Sequence, residues 1–124
     1  MIFPQNKWIL ASLIWFIASI YALIFRDTLG HSTPPFPHFD KLAHGLLFFA
    51  QIWLLAKAYL VASRPIPVRT LLAFALVYAI SSETAQSLFT QTRQGDPLDA
   101  LADIIGASIA LIFAYRLYEQ RRMK

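Results

Sequence analysis

The sequence predicts an all-α integral membrane protein: four transmembrane helices arranged as two helical hairpins, with both termini in the cytoplasm. Three observations predict it. Hydrophobic residues make up 57% of the 124 and charged residues only 15%; apolar runs of span length recur along the chain; and lysine and arginine gather at alternate ends of those runs. Soluble domains carry about 25% charged and about 45–50% apolar residues, so this composition, with a mean hydropathy of +0.51, excludes an ordinary water-soluble domain. Four spans of about 20 residues consume most of the chain, which leaves one domain over residues 1–124 and no room for a separate soluble one. The lack of cysteine excludes a disulfide framework and a thiolate metal site.

Trp8 to Phe25 carries no charge. At about 1.5 Å per residue it comes within a turn of crossing a hydrocarbon core of about 30 Å, and it is read as the first span, 8–25. A signal peptide is the rival reading, since Lys7 precedes the run, but the run exceeds the usual ~7–15 residues and has no Ala-x-Ala site. Pro34, Pro35 and Pro37 break the helix and make the segment from Arg26 to Phe39 a loop or lid, because proline lacks the N–H donor and clashes with the preceding turn. The second span is placed at 40–62, a connection with Pro65 and Pro67 follows from Ser63 to Arg69, the third span is 70–92, and the fourth is 97–115.

With the spans alternating across the membrane, eight of the 11 basic residues fall on the side of the termini: Lys7, Lys57, Arg64, Arg69, Arg116, Arg121, Arg122 and Lys124. Arg26, Lys41 and Arg93 fall on the other, with every acid except Glu119 in the outer half. Positive residues mark the cytoplasmic side. The net charge of +4 is therefore topological, and the basic tail from Arg116 reads as a lipid-facing anchor and not as a nucleic-acid site.

Polar residues of three spans share one depth. Asp40 and His44 open the second span, Glu83 and Gln86 lie near the outer end of the third, and Asp99 and Asp103 open the fourth. Spacings of three and four residues put each pair on one helix face. An acid at mid-span costs about 2.5–3.5 kcal/mol, and somewhat less near the interface, so these residues face the bundle interior or a wet cleft, with Lys41 and Arg93 as available cations. Capping explains Asp96 before Pro97, and for Asp40 and Asp99 capping and a site role both stand. Glu83 and Asp103 lie inside helices, where capping has no part; a structural polar network is their plain alternative. Gly106, with Ala102 and Ala110 at four-residue steps, reads as a close helix-packing face. Asp40-x-Leu-Ala-His44 and Asp99-x-Leu-Ala-Asp103 are also similar to each other, as a degenerate repeat would be.

Asp40-Lys41-x-x-His44, Glu83-x-x-Gln86, Arg93, Asp99 and Gly106, in that order from Phe39 to Leu111, resemble the VanZ-like family of small membrane proteins, named after a protein of teicoplanin resistance. The family pattern carries asparagine at the position of Asp103. The resemblance implies a multi-pass protein of the bacterial plasma membrane with a role in the cell envelope or in glycopeptide antibiotic resistance. The favoured expectation is noncatalytic: an outward-facing cleft of Asp40, Lys41, His44, Glu83, Gln86, Arg93, Asp99 and Asp103 that recognises an envelope lipid, a cell-wall precursor or a glycopeptide. No cofactor is expected, although Asp40, His44, Glu83 and Asp103 form an oxygen-rich set suited to a divalent cation. The alternative is a membrane-surface enzyme using His44 with Glu83 or Asp103 as acid–base groups on a lipid-linked substrate, by acid–base chemistry or with a divalent metal. Ser81 and Ser82 lack a nucleophile-elbow signature and are expected to pack or to bond backbone. The bilayer is the one certain partner in this reading; the oligomeric state is left open.

Overall fold

A computed structural model describes residues 4–25, 39–89 and 97–123. They form four helices: α1 (Lys7–Phe25), α2 (Phe39–Val61), α3 (Val68–Phe89) and α4 (Pro97–Arg122). Among the described residues there is no strand. Lys41–Val61, Val68–Ala85 and Leu98–Arg122 are each long and apolar enough to cross a membrane, while the described apolar stretch of α1, Lys7–Ala22, is shorter.

α1 and α2 each begin one residue earlier than expected and α2 ends one earlier; two further boundaries differ by more, each for a local reason. α3 begins at Val68 instead of residue 70 because Pro67 can stand at its start without a missing donor; the Leu71 N–H donates to the Pro67 carbonyl at 2.9 Å. α4 continues to Arg122, well past residue 115. No proline or glycine follows Gly106 to stop it, and an exposed Arg122–Glu119 pair at 2.7 Å sits on its last turn. Of the loop expected from Arg26 to Phe39 only Phe39 is described, and it begins α2; the connection expected after residue 92 lies outside the described residues.

Side-chain hydrogen bonds fix how the helices run. Asn6 caps α1: its Oδ1 accepts from the Trp8 N–H at 3.0 Å, and its Nδ2 donates to the Ala58 carbonyl at 3.0 Å, near the end of α2. Farther along, Gln51 Nε2 donates to the Ser12 carbonyl and Trp15 Nε1 to the Leu47 carbonyl. The partner numbers fall on α2 as they rise on α1, so the two helices are antiparallel. Arg121 reaches the Leu60 carbonyl at 3.4 Å, while Asp103 lies beside His44, so α2 and α4 run parallel. Their packing is the most extensive in the bundle.

The interior is built from small residues between these two helices and an aromatic group beside them. Ala56, Ala107, Ala110 and Ala114 are fully buried. Phe16, Phe48 and Tyr78 bring α1, α2 and α3 together, with the Tyr78 ring 4.8 Å from Phe16 and 4.7 Å from Phe48. The outer faces are apolar instead of charged: Ile14, Leu46, Val77, Ile80 and Ile105 are all more than half exposed or close to it. A helix apolar on its outside as well as its inside suits a lipid surround and not water.

The turn after α2 shows a cap in an uncommon residue. Arg64 N–H donates to the Tyr59 carbonyl and Ser63 N–H to the Leu60 carbonyl, a Schellman pattern, and Ser63 takes the left-handed conformation with φ 57°. Non-glycine residues there carry a cost of roughly 1–2 kcal/mol, so Ser63→Gly is expected to stabilise the protein by about 0.5–1 kcal/mol after the added chain entropy is subtracted. Reversible unfolding in detergent checks this; unchanged or lower stability would contradict the cap.

Candidate functional site: a buried histidine among three carboxylates

The polar residues converge at one end of the bundle. His44 sits one turn into α2 and its side chain is 2% exposed. Its Nδ1 lies 3.0 Å from Asp103 Oδ1 on α4, a buried hydrogen bond, and 3.8 Å from Glu83 Oε1 on α3. Its Nε2 lies 3.7 Å from Asp99 Oδ2, one turn earlier on α4. Lys41, one turn before His44, places Nζ 3.5 Å from the other Asp99 oxygen. One imidazole is thus approached by carboxylates from two neighbouring helices and on both of its nitrogens.

Local sequence produces this geometry. Three-residue spacing stacks Lys41 on His44, and four-residue spacing stacks Asp99 on Asp103. The parallel pairing of α2 and α4 then sets the two faces opposite each other at one height. Gly106 makes the close approach possible: an added Cβ there would overlap the Gly45 carbonyl, whereas one at Gly45 would stand an ordinary 3.4 Å from the Ala102 carbonyl oxygen. The similar openings of the two helices also share burial. His44 and Asp103 are 2% and 0% exposed, whereas Leu42 and Leu101 are 49% and 55% exposed. His44 and Asp103 therefore face each other in the interior, while Leu42 and Leu101 face outward.

Of the eight residues expected in the cleft, the structure brings together Lys41, His44, Glu83, Asp99 and Asp103. Asp40 and Gln86 lie on α2 and α3, but their side chains, like the whole of Arg93, fall outside the described residues. Asp99 is buried and inside the cluster, which gives it a part beyond helix capping. Ser82 donates to the Ala79 carbonyl at 3.0 Å and Ser81 is exposed, so both behave as backbone-bonding or surface residues. Sequence reasoning overlooked Gln51, 2% exposed and bonded to α1. It lies seven residues after His44, on the same face, which is the signal that finds it.

The opposite end is basic and aromatic. Lys7 and Lys57 both approach the Trp8 ring, at 5.5 and 5.6 Å, with Arg121 near the end of α2. Between α2 and α4 an open groove of about 500 Å³ runs from Lys41 past Gly45, Leu46 and Phe49.

No family model matches the chain, and no curated protein or solved structure matches it. The reading of its function therefore stands on its own residues.

Proposed function

We propose that this chain is a four-span protein of the VanZ-like type in a bacterial plasma membrane, with its termini cytoplasmic, that recognises the head group of an envelope lipid or lipid-linked cell-wall precursor at the outer end of the bundle. The orientation is supported by the separation of charge: Lys7, Lys57 and Arg121 meet at one end and the carboxylates at the other.

One observation carries the lipid reading. Lys41 lines the apolar groove between α2 and α4 and also pairs with Asp99 in the polar cluster. An acyl or prenyl chain lying in the groove would bring its head group to the histidine and carboxylates. Three acids beside one lysine favour a head group rich in donors, because carboxylates accept from sugar hydroxyls and peptide N–H groups, while Lys41 suits a linking phosphate. A glycopeptide such as teicoplanin offers the same donors. The buried His44–Asp103 bond supports a second reading, acid–base catalysis on such a substrate.

Native mass spectrometry in nanodiscs tests both. The wild type, incubated with envelope lipid extract and teicoplanin, is expected to retain a specific species. Leu46→Trp, which fills the half-open groove, is expected to lose it at least tenfold. Identical spectra for the two proteins would overturn the lipid reading, and a new product mass would replace recognition with catalysis.

A further inference from the structure

We propose that His44, Glu83 and Asp103 form a binding site for one divalent transition-metal ion of the Mn²⁺ or Zn²⁺ type. This goes beyond head-group recognition and does not depend on it.

Geometry comes first. One ligand atom from each of the three residues lies within 4.8 Å of the others. The His44 Nδ1 stands 3.0 Å from Asp103 Oδ1 and 3.8 Å from Glu83 Oε1. An ion held at about 2.0–2.2 Å from nitrogen and oxygen ligands separates neighbouring ligands by about 3 Å at right angles and by about 4.3 Å when they are opposed. The observed separations fall at or near that range, so small side-chain rotations complete the site.

A second observation points independently to a ligand. His44 Nε2 and Asp103 Oδ2 are buried and make no hydrogen bond among the described residues. Buried polar atoms left in that state are costly, and Asp103 is 0% exposed, beyond the reach of bulk water. An ion on Nδ1 gives the second Asp103 oxygen a cation beside it and leaves the imidazole proton on Nε2, the nitrogen that faces Asp99 Oδ2 at 3.7 Å. Carboxylates behind a ligating histidine commonly fix its tautomer in this way.

Mixed nitrogen and carboxylate ligands select a borderline ion over Mg²⁺ or Ca²⁺, which prefer oxygen alone.

The test uses the full chain in nanodiscs of uncharged phosphatidylcholine, stripped with chelator and titrated with Mn²⁺ by electron paramagnetic resonance, then competed with Zn²⁺ and, separately, with Mg²⁺ and Ca²⁺. One saturable Mn²⁺ per chain is expected, displaced by Zn²⁺ and not by equimolar Mg²⁺ or Ca²⁺. Glu83→Gln and Asp103→Asn should each abolish the site, and Asp99→Asn should weaken it about 10–100-fold, all three with wild-type helicity by circular dichroism. Absence of saturable Mn²⁺ and Zn²⁺ binding in the wild type would overturn the proposal. So would binding that survives unchanged in both folded Glu83→Gln and Asp103→Asn. Because no lipid ligand enters this measurement, its failure is separable from failure of the lipid reading.

Discussion

Gly106→Ala is expected to cost about 2–3 kcal/mol or more and to open the polar cluster along with the helix contact. A Cβ on Gly106 would overlap the Gly45 carbonyl oxygen, 2.8 Å from its carbon and 3.0 Å from its Cα. All three atoms are backbone of the facing helix, so no rotamer relieves the clash and α2 and α4 must separate. Overpacking of this kind costs about 1–3 kcal/mol, occasionally more, against which better helix propensity returns only about 1 kcal/mol. His44 and Asp103, 3.0 Å apart and within a turn of the clash, would part with the helices. Gly45→Ala is the control: its Cβ would meet only the Ala102 carbonyl oxygen, at an ordinary 3.4 Å, and its stability should stay within about 1 kcal/mol of wild type. Thermal unfolding of the three proteins in one detergent decides. If Gly106→Ala melts with the wild type, close backbone packing is not what joins α2 to α4.

The helices were legible because a membrane helix is specified by unbroken apolar length, a property of the sequence alone. The apolar lengths of α2, α3 and α4 need no partner to be recognised, and Pro65 and Pro67 mark where α2 must have ended. The depth of the site was legible for a related reason: Glu83 and Asp103 lie inside helices, where an acid has no capping role and lipid is too costly a neighbour. Partner choice was less so. The sequence offers Lys41 as a cation without naming its acid, and only the azimuth of α4 places Asp99 at 3.5 Å from it. Asp99 itself reads equally as a first-turn acid favoured by the helix dipole; its burial depends on which face α2 covers. The reach of α4 to Arg122 was obscured by the basic tail, since charge ends a membrane span without ending a helix.

Asp103→Leu is expected to cost about 1–3 kcal/mol, and Asp103→Asn no more than about 1. The two replacements separate hydrogen bonding from charge at the most buried residue of the cluster, 0% exposed. Leucine leaves His44 Nδ1 without its partner at 3.0 Å, while Nε2 already lacks a hydrogen bond. Removing one member of a buried hydrogen-bonded pair strands the other, at a cost of about 1–3 kcal/mol. Asparagine keeps the shape and an oxygen for His44, and it removes one of three neighbouring negative charges, so its loss is small or reversed. Equal damage from Leu and Asn would mean that the Asp103 charge, not its hydrogen bond, joins α2 to α4. The double variant His44→Leu with Asp103→Leu extends the test. With both polar groups gone, no stranded partner remains, and the pair should be less destabilised than the sum of the single variants. Additive losses in that cycle would show that the two residues act independently, and the cluster would then not be one coupled unit.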